Sequence, residues 1–237
     1  MEKTNVGGNE TIVAEDLGFS RVIYQDKNLY RFTSDSVLLS RFARAKKGDN
    51  VADFCSGCGI VAFHFFLLNE GAGLRFTLFE LQENLMRLAR LTAEKNGFEN
   101  FSFVTGRLQD FPKEYNGKFS LVLCNPPYET GGFENERYEK AVCRKEIEIT
   151  LEEIVKAAKR ALKFGGRFAL CHKASRAAET IAALDRNGFA VKRMQFVSGS
   201  PAAQPYLVLI EAVYGGKPGA EVLPVLVNTA KTGATTD

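Results

Sequence analysis

Two hydrophobic periods take turns along the chain, and their boundaries predict the elements. From Arg21 to Phe32, apolar residues flank a polar Gln25-Asp26-Lys27-Asn28 break, which predicts a hairpin. Ser34 or Asp35 can cap the helix that follows, whose Val37, Leu38, Leu39 and Phe42 form one apolar stripe before Gly48. Short apolar runs at 51–54, 74–79, 101–104, 119–124 and 167–171 read as strands. Helical spacing covers 60–69, 82–96 and 151–162, the last two closed by Gly97 and by Gly165-Gly166. A further helix over 175–187 stops at Gly188, and strands over about 189–197 and 205–213 follow. Only a loop, Ser198 to Gln204, joins these two, so they are expected to pair antiparallel.

Strand–helix alternation with continuous apolar strands predicts an α/β fold. Its sheet has seven strands, mostly parallel, with helices on both faces and an antiparallel last strand. The pattern divides the chain into a flexible tail over 1–16, an N-terminal hairpin and helix over 17–48, a core domain over 49–214 and a C-terminal arm over 215–237. With 45% apolar and 25% charged residues, a disordered or fibrous chain is excluded. The apolar run from Ile60 to Leu68 is broken by His64 and is too short to span a bilayer. Residues 1–16 lack the apolar centre of a secretory signal, and five cysteines are an odd number for a disulfide framework. Reduced thiols in the cytoplasm are therefore expected.

The net charge of +3 hides an uneven distribution. Residues 17–50 hold seven basic and three acidic side chains, and residues 136–193 hold fourteen and eight. Such a surface is compatible with a polyanionic partner, and also with solvated helix faces and ordinary lysines.

The first strand of the alternating region ends in Asp53-Phe54-Cys55-Ser56-Gly57-Cys58-Gly59 and runs straight into a helix. A strand–glycine loop–helix unit brings backbone N–H groups and a positive helix end to a ligand. This loop does not fit the dinucleotide fingerprint G-x-G-x-x-G. Its acidic residue precedes the glycines, where a carboxylate suits an ammonium and repels a pyrophosphate. That favours S-adenosylmethionine over a nicotinamide dinucleotide. Glu80, at the end of the second strand of this region, can accept both ribose hydroxyls. Cys55 and Cys58 also form a C-x-x-C whose position at a helix start could lower a thiol pKa for redox work. No second C-x-x-C or clustered histidine accompanies it, so no metal site is expected.

The strand at 119–124 delivers Asn125-Pro126-Pro127-Tyr128 at its carboxyl end. Two prolines remove two N–H donors and leave carbonyl oxygens, an amide and an aromatic ring. This acceptor-rich pocket suits a planar group carrying an NH2. Hydrogen bonds to the Asn125 oxygen and the Pro126 carbonyl would free the nitrogen lone pair, and Tyr128 would stack on the ring. The long polar segment 129–150 carries Arg137, Lys140, Arg144 and Lys145, candidates for substrate contact.

On these residues the chain resembles the class I S-adenosylmethionine-dependent methyltransferases. Within them it is most similar to the bacterial tRNA-Val (adenine-37-N6)-methyltransferases, over roughly residues 20–228. The likeness rests on Phe32-Thr-Ser-Asp-Ser-Val-Leu-Leu39, Asp53 to Gly59, Asn125 to Tyr128, Cys143-Arg-Lys-Glu146 and the Gly215-Gly-Lys-Pro-Gly-Ala stretch. It implies a Rossmann-like fold, S-adenosyl-L-methionine as cofactor and an RNA substrate, tRNA first among RNAs. It assigns catalysis to Asn125, Pro126, Pro127 and Tyr128. Cofactor contacts fall to Asp35, Asp53, Cys55, Gly57, Gly59, Glu80, Leu81, Leu108, Asp110 and Asn125. Arg107 stands where such enzymes usually carry an acidic residue after the third strand. Glutamine N5-methyltransferases share the N-P-P-Y motif and form the second expectation, and a non-catalytic RNA-binding relative of the fold is the third.

Overall fold

The computed structural model describes residues 11–29, 32–128 and 148–229. Its N-terminal hairpin pairs β1 (Ile12–Gly18) with β2 (Arg21–Asp26). The turn lies at Phe19-Ser20, both at positive φ (56° and 59°), and not at the expected 25–28 break. A tight hairpin turn with two left-handed residues normally announces itself by Asn or Gly, so Phe19-Ser20 gave no signal. Residues 12–16, expected as tail, are therefore strand. The 25–28 segment does turn, with the Asn28 N–H donating to the Asp26 carboxylate at 2.8 Å, but it closes β2 without a returning strand among the described residues.

Helix α1 (Ser34–Phe42) follows, with Thr33 at its N-cap. Ser34 and Asp35, the expected caps, lie inside its first turn, and the Asp35 carboxylate is engaged elsewhere. Leu38, Leu39 and Phe42 are buried as the apolar spacing predicts. Then β3 (Asn50–Phe54), α2 (Ile60–Leu68), β4 (Arg75–Glu80), α3 (Glu83–Asn96), β5 (Phe101–Thr105) and β6 (Phe119–Cys124) alternate. Helix α2 is apolar all round, and such a helix must be covered on every side. The sheet, α1 and the hairpin cover it, and Ser40 Oγ meets His64 Nδ1 at 2.7 Å. Helix α3 covers the open edge of β2: the Tyr24 N–H donates to Thr92 Oγ1 (3.0 Å) and the Val22 N–H to Asn96 Oδ1 (3.1 Å). Paired in this way, the hairpin edge cannot template another strand.

A capping box of Thr150 and Glu153 starts α4 (Leu151–Ala161). The helix ends before Gly165-Gly166, which lie instead within β7 (Leu162–Lys173). There the pairing jumps from Phe119 opposite Leu162 to Leu121 opposite Arg167, so the two glycines occupy a bulge. Helix α5 (Ala177–Arg186), β8 (Phe189–Ser198) and β9 (Leu207–Tyr214) complete the expected pattern. Strand β9 inserts between β7 and β8, antiparallel to both.

One strand is unexpected. Residues 221–227 of the anticipated arm form β10 (Glu221–Val227), parallel to β8 at the sheet edge. Among the described residues the sheet thus has eight strands, in the order β10-β8-β9-β7-β6-β3-β4-β5. The edge position tolerates Pro224, and the pairing shifts register between Leu223 and Leu226.

Two cores flank the sheet. One packs α1, α2, α3 and the hairpin, and the other packs α4 and α5. Most phenylalanines serve the cores; Phe76 and Phe101 stack with centroids 4.7 Å apart. Asp49 ties three elements together: its carboxylate accepts from Ser120 Oγ (2.6 Å) on β6, the Lys46 N–H (2.6 Å) and Arg167 Nη2 (2.5 Å) on β7. Arg167 also donates to the Arg44 carbonyl. Removing one partner of a buried ion pair strands the other charge. Asp49→Ala is therefore expected to lose about 3–5 kcal/mol in urea denaturation, with partial recovery in Asp49→Ala/Arg167→Met. An unchanged midpoint in the single variant would contradict this account of the junction.

Candidate active site

Strands β3 and β6 are neighbours at the sheet centre, yet the chain leaves them in opposite directions, to β4 and to β7. Loops that diverge in this way open a crevice at the carboxyl ends of the strands. A cavity of about 780 Å³ lies there. Its size is in the range of small-molecule sites. The 55–58 loop, the end of β4, the 106–109 turn, Asn125 to Tyr128 and the start of α1 line it.

In the loop, Cys55 and Gly57 both hold left-handed backbone, at φ 54° and 57°. Gly57 faces open space on its Cβ side, and its N–H donates to Glu80 Oε2 at 2.8 Å. Gly59 has a different job. It does not line the cavity, and a Cβ there would meet the Phe63 ring at 2.5 Å and Leu78 at 2.9 Å. Close packing of α2 on β4 requires it.

Asp53 is fully buried beneath the loop and does not line the cavity. Its Oδ2 accepts from the Ala62 N–H at 3.2 Å, and Oδ1 lacks a hydrogen-bond partner among the described residues. Burial, and then the nearby Glu80 charge, push its carboxyl well above the usual carboxylate range. The ammonium contact expected of Asp53 falls on a side chain that lies beneath the loop and outside the cavity wall. Asp53 supports α2 through the Ala62 N–H, while Cys55, Ser56, Gly57 and Cys58 form the wall.

Glu80 does reach the cavity. The Gln82 N–H donates to its Oε1 at 2.9 Å, and a carboxylate keeps acceptor capacity for a ligand hydroxyl beside such backbone donors. Burial raises its pKa, and backbone donors from Gln82 and Gly57 oppose that rise. Beyond it, Leu81, Gly106, Arg107, Leu108 and Gln109 continue the wall, whereas Asp110 does not. Arg107 pairs with Glu148 at 2.7 Å, and Gln109 Nε2 donates to the Glu148 carbonyl at 2.8 Å. Glu148 thus holds the turn where an acidic residue had been expected in place of Arg107.

Asn125, Pro126, Pro127 and Tyr128 all line the same cavity. Asn125 Nδ2 donates to Ser36 Oγ at 2.8 Å, and its Oδ1 accepts from the Cys171 thiol at 2.9 Å. The Tyr128 hydroxyl donates to the Asp35 carboxylate, and its ring lies 5.7 Å from that of His172. Burial raises the Asp35 pKa, against the lowering effect of hydrogen bonds from Tyr128 and Ser34. The contacts made by Ser36, Cys171 and His172 were not foreseen. Cys171 and His172 had one available signal, a place at the carboxyl end of β7 just beyond the Cys124–Leu170 pairing. Lys27 and Lys173 add cations to the wall. Arg137, Lys140, Arg144 and Lys145 lie outside the described residues.

Burial pushes the Cys58 thiol up to about 12, the opposite of the lowering that the redox reading of the C-x-x-C would ask of that thiol. Among the described residues no group of three or more His, Cys, Asp or Glu could hold a metal ion, and no helix is long and apolar enough to cross a membrane.

A glycine loop after β3, a carboxylate ending β4 and N-P-P-Y after β6, on a sheet whose penultimate strand in sequence inserts antiparallel, define the class I methyltransferase fold. Residues 33–195 match the methyltransferase small domain model, and the chain belongs to that family, whose cofactor is S-adenosylmethionine. It is 25% identical over 138 residues to a tRNA1(Val) (adenine(37)-N6)-methyltransferase of Actinobacillus pleuropneumoniae, covering 58% of this chain and 57% of that protein. A protein of the same description from Parabacteroides distasonis is 21% identical over 190 residues, covering 80% and 79%. A solved structure described as a "predicted O-methyltransferase" from Agrobacterium tumefaciens matches with a TM-score of 0.65 at 19% identity, over 81% of this chain and 86% of that one. That likeness speaks to the fold alone.

His172 supplies a pH signature for the site. It is buried, and burial first, then the positive charge of Arg176, lower its pKa to about 4. A depressed histidine favours the fold above the unfolded pKa of about 6.5, and the advantage is lost as pH falls through 4. Between pH 6.5 and 4, wild type is expected to take up about one more proton on unfolding than His172→Gln. Parallel stability–pH slopes for the two proteins would contradict this.

Proposed function

We propose that the protein transfers a methyl group from S-adenosylmethionine to an exocyclic amino nitrogen, that of adenine N6 in a tRNA. One observation carries the reading: Asn125, Pro126, Pro127 and Tyr128 line the same cavity as Gly57 and Glu80. The donor-poor segment can take both protons of an NH2, one on Asn125 Oδ1 and one on the Pro126 carbonyl. Those hydrogen bonds localise a lone pair that the ring would otherwise delocalise. Tyr128 presents a face for stacking, which holds the base in line for displacement. No strong base is needed beforehand, because the amine sheds its proton after gaining the methyl group.

The cavity fits the cofactor in its donor set. Glu80 would accept from the ribose hydroxyls, the open side of Gly57 admits the backbone approach, and Leu81 and Leu108 would flank the adenine. When bound, S-adenosylmethionine supplies an electrophilic methyl carbon. The relatives' description as tRNA1(Val) adenine-N6 enzymes supports the nucleic-acid substrate over a protein glutamine, as do Lys27 and Lys173 on the wall. A target adenosine would have to leave its stack to enter a crevice at the strand ends.

The test is transfer of labelled methyl from S-adenosylmethionine to undermodified tRNA, followed by nucleoside mass spectrometry for N6-methyladenosine. Asn125→Ala is expected to lose about 10²–10³-fold in rate, the scale of removing one preorganised hydrogen-bonding group. Equal transfer by both proteins, or label on another nucleoside, would overturn the reading.

A further inference from the structure

Helix α1 lies outside the sheet, yet its first turn faces the cavity. Two consecutive buried side chains there reach the two functional side chains of the N-P-P-Y segment: Asp35 meets Tyr128, and Ser36 meets Asn125. Consecutive helical residues point about 100° apart, so one turn can address two targets at once. The segment needs outside support. Pro126 and Pro127 have no N–H, so backbone ladder bonds cannot fix its side chains.

Orientation matters most at Asn125. The two ends of a side-chain amide are nearly the same shape and opposite in hydrogen bonding. With oxygen toward the substrate the amide accepts from an NH2; turned over, it would set one donor against another. Ser36 Oγ accepts from Nδ2 and the Cys171 thiol donates to Oδ1, so the amide is held at both ends. Burial keeps the Cys171 pKa well above the usual thiol range, which preserves its proton for donation. The Asp35 bond fixes the Tyr128 hydroxyl and, through it, the plane of the ring.

We infer that the first turn of α1 positions the acceptor half of the site: Ser36 sets the orientation of the Asn125 amide, and Asp35 sets the plane of Tyr128. This rests on the functional reading above and moves Asp35 from the expected cofactor contact to the substrate side. Ser36 and Asp35 are positioning residues, acting through Asn125 and Tyr128.

The experiment compares Ser36→Ala, Ser36→Thr, Asp35→Ala and Asp35→Asn with wild type and Asn125→Ala. Calorimetry reads S-adenosylhomocysteine affinity, and steady-state transfer to undermodified tRNA reads kcat and KM. Ser36→Ala and Asp35→Ala should each lower kcat about tenfold, the scale of one lost hydrogen bond. S-adenosylhomocysteine affinity and KM should stay within about twofold. Ser36→Thr and Asp35→Asn retain an acceptor and should recover most of the rate. A tenfold loss of S-adenosylhomocysteine affinity in Asp35→Ala would return that residue to the cofactor and overturn the inference. A second readout needs no RNA: the Asn125 side-chain amide resonances in protein labelled with 15N-asparagine, assigned by their loss in Asn125→Ala. They should shift and broaden in Ser36→Ala and recover in Ser36→Thr. Unchanged resonances in Ser36→Ala would also overturn the inference. If Asn125→Ala keeps full activity, the functional reading fails, and the resonances still decide whether Ser36 holds the amide.

Discussion

The pairing of β3 with β6 governs everything at the site. In that parallel register Phe54 lies opposite Cys124, so Cys55 and Asn125 emerge side by side. The chain then parts, toward α2 on one side and the N-P-P-Y segment on the other. A slip of one residue would exchange the faces of every side chain on the strand. Continuous burial of Val51 to Phe54 and Leu121 to Cys124 prevents that slip. The crevice is thus a by-product of core packing at the sheet centre, and the two halves of the site inherit its geometry.

Buried charge is the cost of this arrangement. Asp35, Asp53 and Glu80 are all withdrawn from water, and each carboxyl has a raised pKa. A carboxylate held above its ordinary pKa works against the fold at neutral pH, and that handicap eases as pH falls through its folded value. The structure limits the handicap with backbone donors, Gly57, Leu81 and Gln82 to Glu80 and Ala62 to Asp53. Asp49 lies at the far end of β3 and faces the opposite situation: burial alone would raise its pKa, but Ser120, Arg167 and Lys46 together hold it below the usual range. One end of the strand is stabilised by complete ion pairing. The other is left polarised where a cationic cofactor would sit.

How much could be read from residues alone follows from how local each signal is. The apolar runs at 51–54 and 119–124 and the helical spacing at 82–96 are local, and all three elements formed where expected. The turn at Phe19-Ser20 carries no turn residue, so the hairpin was misplaced until β1 showed its partner. Strand β10 lies in a stretch that reads as an arm, and its edge position makes Pro224 acceptable within it. Glu80 and Asn125 to Tyr128 line the cavity, and that placement was legible from their positions at strand ends. Asp53 matched a pattern, but the pattern could not say that Ala62 would take its carboxylate and that the loop would cover it. Ser36 gave no sign, since its partner lies 89 positions away and the contact exists only after α1 has packed on the sheet.

The most direct test is a crystal structure with an S-adenosylmethionine analogue bearing an amine where the methyl group stands. The account predicts that the ribose sits on Glu80 and that the amine projects into the cavity toward the Asn125 side-chain oxygen and the Pro126 carbonyl. An analogue bound with its amine facing away from Asn125, or outside this cavity, would contradict it.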